Sequence, residues 1–218
     1  MQILCLVFLI RLLLLASPAH AGELRAIIKD QEGKAVEDAV LLATPADPTK
    51  LPHPKPSDEI VDQIDKEFVP YVKPVLVGSM VHFPNKDNIR HHVYSFSPVK
   101  IFELPLYSGK TAPPVLFDKP GVVILGCNIH DWMLGYIYVS DTPFFTKTRQ
   151  DGKASIEGLP AGEYLVRLWH PRMGDPGGEA GRRVTIDEKT PAKIEWQITL
   201  KQVFRIPRAS ANQGAHYH

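Results

Sequence analysis

Apolar residues along the chain come in short runs, and long stretches with the 3.6-residue period of a helix are absent from the sequence. The runs are rich in valine, isoleucine and aromatic residues, and most end at a turn residue, as in VLVGSMVHF, HVYSFS, YLVRLWHP and KIEWQITL. Short β-branched runs bounded by turn residues are typical of strands. The 20 prolines fit loops and strand edges better than helix interiors. The pattern therefore predicts an all-β chain built from sandwiches.

The first 21 residues have a different pattern, an apolar run that is interrupted by Arg11 and ends at Ala19, His20 and Ala21. Such a run before an A-x-A site predicts a secretory signal peptide, residues 1–21, that is cleaved near Ala21. The alternative is an uncleaved membrane anchor, which the shortness of the run disfavours. We therefore expect a periplasmic or secreted protein without a membrane span after cleavage.

Charge and cysteine content narrow the expected function. The sequence has 25 basic and 24 acidic residues, and removing the signal peptide takes away Arg11, which leaves 24 of each. A neutral chain lacks the basic surface that binds nucleic acids and anionic membranes, so neither is an expected partner. The same cleavage removes Cys5 and leaves Cys127 as the single cysteine. A lone cysteine in an exported protein indicates an intermolecular bond, a reactive thiol or a metal ligand.

Cys127 lies in the stretch GCNIHDWMLGYIYV, which also contains His130 and Met133. The spacing C-x2-H-x2-M allows one tight loop to present a thiol, an imidazole and a thioether. With one more histidine, these groups form the ligand set of a blue-copper site. Zinc in the same ligands is an alternative, although methionine is a poor zinc ligand. The alternative without a metal is a buried free cysteine that has histidines nearby by chance.

The segment VHFPNKDNIRHHVYSFSP offers two candidates for the missing histidine, His91 and His92. Strand alternation places His91 on the face of Val93 and His92 on the opposite face, with Tyr94. Alternation alone does not decide which face carries the ligand, so both histidines remain candidates.

Residues 60–141 resemble the cupredoxins, the family of plastocyanin and amicyanin. One family motif has the form F-x-N-x5-H-x-V, which the sequence matches at Phe83, Asn85, His91 and Val93. The second is a C-x2-H-x(n)-M loop that continues as M-x-G-x-[IV], matched at Cys127, His130, Met133, Gly135 and Ile137. The position of the asparagine in the first motif favours His91 over His92.

The resemblance implies a Greek-key β-sandwich that binds one copper ion through His91, Cys127, His130 and Met133. It further implies that Met133 is a long axial ligand and that His130 is the exposed ligand through which electrons pass. Trp132 then either belongs to an apolar patch around His130 or packs between the sheets. Because the protein fills every ligand position, we expect an electron carrier with a redox partner protein and not an enzyme. The alternatives are a copper-binding or copper-delivery protein and an interaction module without metal.

The regions on either side resemble two parts of one module. The segment IIKDQEGKAVEDAVLLATP resembles the opening hairpin of a carboxypeptidase-regulatory-like (transthyretin-like) sandwich, and TRQDGKASIEGLPAGEYLVRLWHP resembles its later part. We therefore predict a small Ig-like sandwich that is formed by residues 22–46 and 142–204. The cupredoxin domain, residues 60–141, would be inserted into it after a proline-rich loop, 47–59, and a flexible tail would cover 205–218.

Two further interpretations concern these outer regions. Residues 22–46 could instead be the first strands of the central domain, which would leave no split module. Chains of this overall kind resemble those labelled methylamine utilisation proteins, a label that does not establish methylamine chemistry.

Overall fold

The structure is a computed structural model that describes residues 22–108, 112–174 and 180–202. The predicted signal peptide and the predicted tail, 205–218, lie outside these described residues. Within the described ranges, no helix has the length and apolar character needed to cross a membrane.

Strands make up nearly all of the regular structure, which confirms the all-β prediction. In chain order they are β1 (Gly22–Lys29), β2 (Val40–Pro45), β3 (Asp58–Ile60), β4 (Asp62–Ile64), β5 (Glu67–Val69), β6 (Val72–Leu76), β7 (Ser79–His82), β8 (His91–Ser97), β9 (Lys100–Tyr107), β10 (Val115–Phe117), β11 (Gly121–Gly126), β12 (Leu134–Ser140), β13 (Phe145–Lys147), β14 (Lys153–Leu159), β15 (Gly162–Trp169), β16 (Ala180–Ile186) and β17 (Ala192–Gln197).

The proline-rich segment 47–59 is largely irregular and contains two short elements. Pro48–Lys50 forms a turn of 3-10 helix, in which the Asp47 carboxylate accepts a hydrogen bond from the Thr49 N–H. The last two residues of the segment begin β3, because Asp58–Ile60 pairs in parallel with β7. Strand pairing therefore starts slightly before the predicted boundary at residue 60.

Strands from both ends of the described chain form one sandwich, which we call the flanking sandwich. One of its sheets has the order β14-β1-β17, and the other has the order β13-β2-β15-β16. The two sheets share a core that includes Leu24, Ile28, Leu41, Val166 and Trp196. The chain thus leaves this sandwich after β2 and returns to it at β13. The assignment of the unit to the carboxypeptidase-regulatory-like type stays a prediction.

The strands between β2 and β13 form a second sandwich, which we call the central sandwich. Its larger sheet has the order β6-β12-β11-β8-β9, its smaller sheet has the order β10-β7-β3, and the hairpin β4–β5 lies beside them. Four side chains that point into this sandwich, Val93, Val123, Leu125 and Ile137, are fully buried. Cys127 and Met133 belong to the same buried core.

An aromatic contact joins the two sandwiches. Trp169, at the end of β15, is fully buried. Its ring centroid lies 5.8 Å from that of Tyr136 and 5.4 Å from that of Tyr138, both on the outer face of β12. Val40, Leu42 and Val72 complete this cluster. The flanking sandwich therefore packs directly on the strand that follows the predicted ligand loop.

We expect the substitution Trp169→Ala to lower the free energy of unfolding by about 3 to 5 kcal/mol, because it leaves a large cavity between the sandwiches. Urea denaturation followed by circular dichroism measures the change. Phe96→Ala is the matched control, since the Phe96 side chain is 76% exposed, and its effect should stay below about 0.5 kcal/mol. Equal losses for the two variants would contradict a stabilising contact at Trp169.

Candidate metal centre

The pairing of β8 with β11 brings His91 next to Cys127. The two strands are antiparallel and pair Gly126 with Tyr94, so the start of β8 and the end of β11 lie at the same end of the sheet. The Nδ1 atom of His91 is 3.9 Å from the Sγ atom of Cys127. His91 is fully buried and Cys127 is 4% exposed. The contact therefore lies inside the core of the central sandwich.

A tight turn after Cys127 adds His130 to the same cluster. The Met133 N–H donates a hydrogen bond of 2.9 Å to the His130 carbonyl and closes the turn. The Nδ1 atom of His130 then lies 3.8 Å from the Cys127 sulfur. The ring centroids of His91 and His130 are 5.0 Å apart. One sulfur and two imidazole nitrogens thus converge from two separate segments of the chain.

The spacing of these three donor atoms fits a metal ion. The candidate ligand atoms of His91, Cys127 and His130 all lie within 4.8 Å of one another. Metal bonds to imidazole nitrogen and thiolate sulfur are about 2.0 to 2.3 Å long. A single ion between the three atoms would bond to each of them without a rearrangement of the fold. The cluster could therefore hold a metal.

The structure separates the two candidate histidines. His92 points to the opposite face of β8, where its Nε2 lies 2.8 Å from a carboxylate oxygen of Glu103. Its ring centroid is 5.9 Å from that of Tyr94. His91 is the histidine that the fold brings to Cys127, and it is the one that the position of the asparagine in the motif favours. Whether His91 is a ligand stays a prediction.

Met133 is 2% exposed and packs in the same core cluster as Cys127. Its backbone is fixed by the turn that begins at His130. The fold therefore buries Met133 in the same core cluster as Cys127, and its role as the axial ligand stays a prediction.

Asp87 also belongs to the site, although the sequence analysis did not identify it. Its Oδ2 lies 2.7 Å from Nε2 of His91, the ring nitrogen opposite the one that faces Cys127. The sequence contains a signal for this contact in the D-x3-H spacing, but that spacing is too common to single out a pair.

Asn85 fixes the shape of the loop that leads to His91. Its side-chain amide donates hydrogen bonds to the carbonyl groups of Ile89 and Tyr107, at 2.8 and 2.9 Å. Its Oδ1 accepts a hydrogen bond of 3.0 Å from the Asp87 N–H. The asparagine of the F-x-N-x5-H motif therefore has a structural role, because it connects the loop to itself and to β9.

Burial and hydrogen bonds set the charges around the cluster. The pKa of His130 is lowered, first by burial and then by His91 and Lys66, while Asp87 opposes the shift. The neutral imidazole that results is the form that binds metals. Burial acts to raise the pKa of Asp87, but the N–H groups of Lys66 and Asp65 and the His91 ring outweigh it, so this pKa is lowered. The carboxylate beside His91 is therefore charged at neutral pH.

One side of the cluster reaches the surface. His130 is half-buried, and its ring centroid lies 5.3 Å from that of the half-buried Trp132. Ile129 and Leu134, on either side of this pair, are 47% and 38% exposed. We call these four residues the His130 patch; three of them are apolar, and the exposed Asp131 lies between His130 and Trp132 in sequence. Trp132 thus lies at this patch rather than between the sheets.

The comparisons with known proteins give partial similarities. No family model matches the chain, and no curated protein matches it. Among solved structures, the Cu-containing nitrite reductase (NirK) from Thermus scotoductus SA-01 is 28% identical over 41% of this chain and 23% of that chain, with a TM-score of 0.36. The match therefore spans less than a quarter of the reductase.

Two further solved structures are similar over a smaller part of the chain. A reduced mutant of amicyanin is 23% identical over 37% of this chain and 80% of that chain, with a TM-score of 0.35. The purple cupredoxin from Nitrosopumilus maritimus is 23% identical over 37% of this chain and 96% of that chain, with a TM-score of 0.33.

We expect Asn85→Ala to lower the free energy of unfolding of the metal-free protein by about 1 to 3 kcal/mol, because it leaves partly buried backbone groups without partners. Urea denaturation monitored by tryptophan fluorescence measures the loss. Asn128→Ala is the control, since it makes the same change at an exposed position in the turn after Cys127. Comparable losses in both variants would show that Asn85 does not organise the loop.

Proposed function

We propose that the protein binds one copper ion through His91, Cys127, His130 and Met133, and that it carries single electrons between redox partner proteins. The main support is the convergence of two imidazole nitrogens on one buried sulfur, at 3.9 and 3.8 Å. The predicted signal peptide supports a location of this activity in the periplasm or outside the cell.

The chemistry of the donor set favours copper over zinc. Two histidines and a cysteine with a weak methionine bond form the set used by blue-copper electron-transfer sites. Copper would supply the ability to take up and release one electron. Cys127 would contribute a thiolate, and the core around it would keep water from the sulfur. A structural zinc site normally has four strong ligands, which Met133 does not provide.

The burial of the cluster favours an electron carrier over a copper-delivery protein. A protein that hands its ion to another protein needs ligands that the recipient can reach. His91, Cys127 and Met133 are at most 4% exposed. Electrons, in contrast, can pass through the half-buried ring of His130. The His130 patch would then be the surface on which a redox partner docks, because it is mainly apolar and includes that ring.

Adding Cu(II) to the protein without its predicted signal peptide should produce an intense visible absorption band at one copper ion per chain. The band arises from charge transfer between a thiolate and copper. Cys127→Ser should abolish the band because it removes the thiolate, whereas the control His92→Asn should keep it. Visible spectroscopy with metal analysis measures both properties. A wild-type protein that binds no copper, or a C127S protein with an unchanged spectrum, would contradict the proposal.

Leu134→Lys should slow electron self-exchange between the oxidised and reduced proteins by roughly tenfold, because the lysine charge would have to lose hydration where two copies meet at the His130 patch. Line broadening in NMR spectra of mixed oxidation states measures the rate. Ile27→Lys places the same charge on β1 of the flanking sandwich, where Ile27 is as exposed as Leu134, at 38%, and should leave the rate unchanged. An equal effect of both lysines would argue against the patch as the route for electrons.

A further inference from the structure

Asp87 makes the closest polar contact to the imidazole of His91. Its Oδ2 is 2.7 Å from His91 Nε2, and the side chains of His91 and Asp87 are 0% and 13% exposed. A hydrogen bond between a carboxylate and an imidazole is strong because it is charge-assisted. In a largely buried position it also determines which ring nitrogen carries the proton.

The turn of the hairpin β4–β5 holds Asp87 in place. Its Oδ1 accepts a hydrogen bond of 2.7 Å from the Asp65 N–H, and its Oδ2 accepts one of 2.9 Å from the Lys66 N–H. Asp65 and Lys66 both have left-handed backbones, with φ of 53° and 61°, as in the type I′ turn of a two-residue hairpin. The turn therefore directs two neighbouring N–H groups at one carboxylate, which keeps it oriented towards His91.

We infer that Asp87 is a positioning residue for the copper site, which keeps the proton of His91 on Nε2 and directs its Nδ1 lone pair at Cys127. We further infer that its negative charge stabilises oxidised copper relative to reduced copper. The second part rests on the proposed function.

General physical chemistry supports both parts. A carboxylate that accepts a hydrogen bond from a metal-binding histidine fixes the tautomer and raises the basicity of the ring. The oxidised ion carries one more positive charge than the reduced ion, so a nearby negative charge favours it by Coulomb attraction. The competing explanation is that Asp87 only ties the hairpin to the loop, in which case its charge would not affect the metal.

The variant Asp87→Asn tests the role of the charge. It keeps the size of the side chain, and we expect the dissociation constant for Cu(II) to rise about 10- to 100-fold, with a smaller change for Cu(I). Each factor of ten by which the dissociation constant for Cu(II) rises more than that for Cu(I) raises the reduction potential by about 59 mV. Copper competition titrations and protein-film voltammetry measure these quantities.

Asp62→Asn is the matched control. Asp62 lies on β4, in the hairpin that holds Asp87, and its side chain is 19% exposed. Its Oδ2 pairs with Lys86 Nζ at 2.7 Å and not with His91. The D62N protein should keep the wild-type potential. A D87N protein with a visible band and the wild-type potential, or equal shifts in D87N and D62N, would overturn a specific effect of the Asp87 charge.

A second measurement needs no copper. The ¹⁵N NMR shifts of the His91 ring in the metal-free wild-type protein should show a protonated Nε2 and an unprotonated Nδ1, and D87N should lose this preference. The opposite tautomer in the wild type, or an unchanged tautomer in D87N, would overturn the positioning role. If D87N does not fold, the wild-type spectrum still decides this point.

The two experiments also separate this inference from the proposed function. If the wild-type protein gives no visible band with Cu(II), the copper function and the effect on the potential both fail. The NMR measurement would still support or overturn the inference that Asp87 fixes the tautomer of His91.

Discussion

The antiparallel contact between β8 and β11 is the constraint on which the site depends. Cys127 and His130 are three residues apart and meet through a local turn, but His91 is 36 residues from Cys127 in sequence. Only the sheet brings its ring to the sulfur, through the register that pairs Gly126 with Tyr94. A one-residue shift of this register would turn His92 inward and His91 outward, because side chains alternate between faces. The apolar core that fixes the register therefore also determines which of the two histidines faces Cys127.

Burying His91 creates a second requirement, which the loop and the hairpin meet. Both ring nitrogens of a fully buried imidazole need partners, since an unpaired polar group in a core is costly. Nδ1 faces Cys127, and Nε2 faces Asp87. Asp87 in turn needs donors, which the hairpin turn supplies, and Asn85 connects its backbone to β9. A chain of polar contacts thus runs from Cys127 through His91 and Asp87 to the hairpin turn at the surface.

The sequence predicted the parts of this arrangement that depend on local spacing. The C-x2-H-x2-M turn and the alternation that pairs His91 with Val93 both follow from residues close together in the chain. Asp87 could not be predicted in the same way, because the conformation of an irregular loop depends on contacts with a distant hairpin. Trp169 and the residues of β12 that it contacts are also far apart in sequence. The apolar pattern of β15 does not reveal which surface will cover Trp169.

The insertion of the central sandwich has a consequence for the rigidity of the site. β12 leaves the ligand loop directly after Met133, and it is held on both faces, by Ile137 in the central core and by Tyr138 against Trp169. At Gly135 the strand approaches Phe68 so closely that a Cβ atom would lie 2.8 Å from the Phe68 Cβ. The end of the ligand loop therefore has little freedom to move. In the proposed electron carrier, ligands that stay in place when the charge of the ion changes are an advantage, and the flanking sandwich restrains β12 from outside the central core.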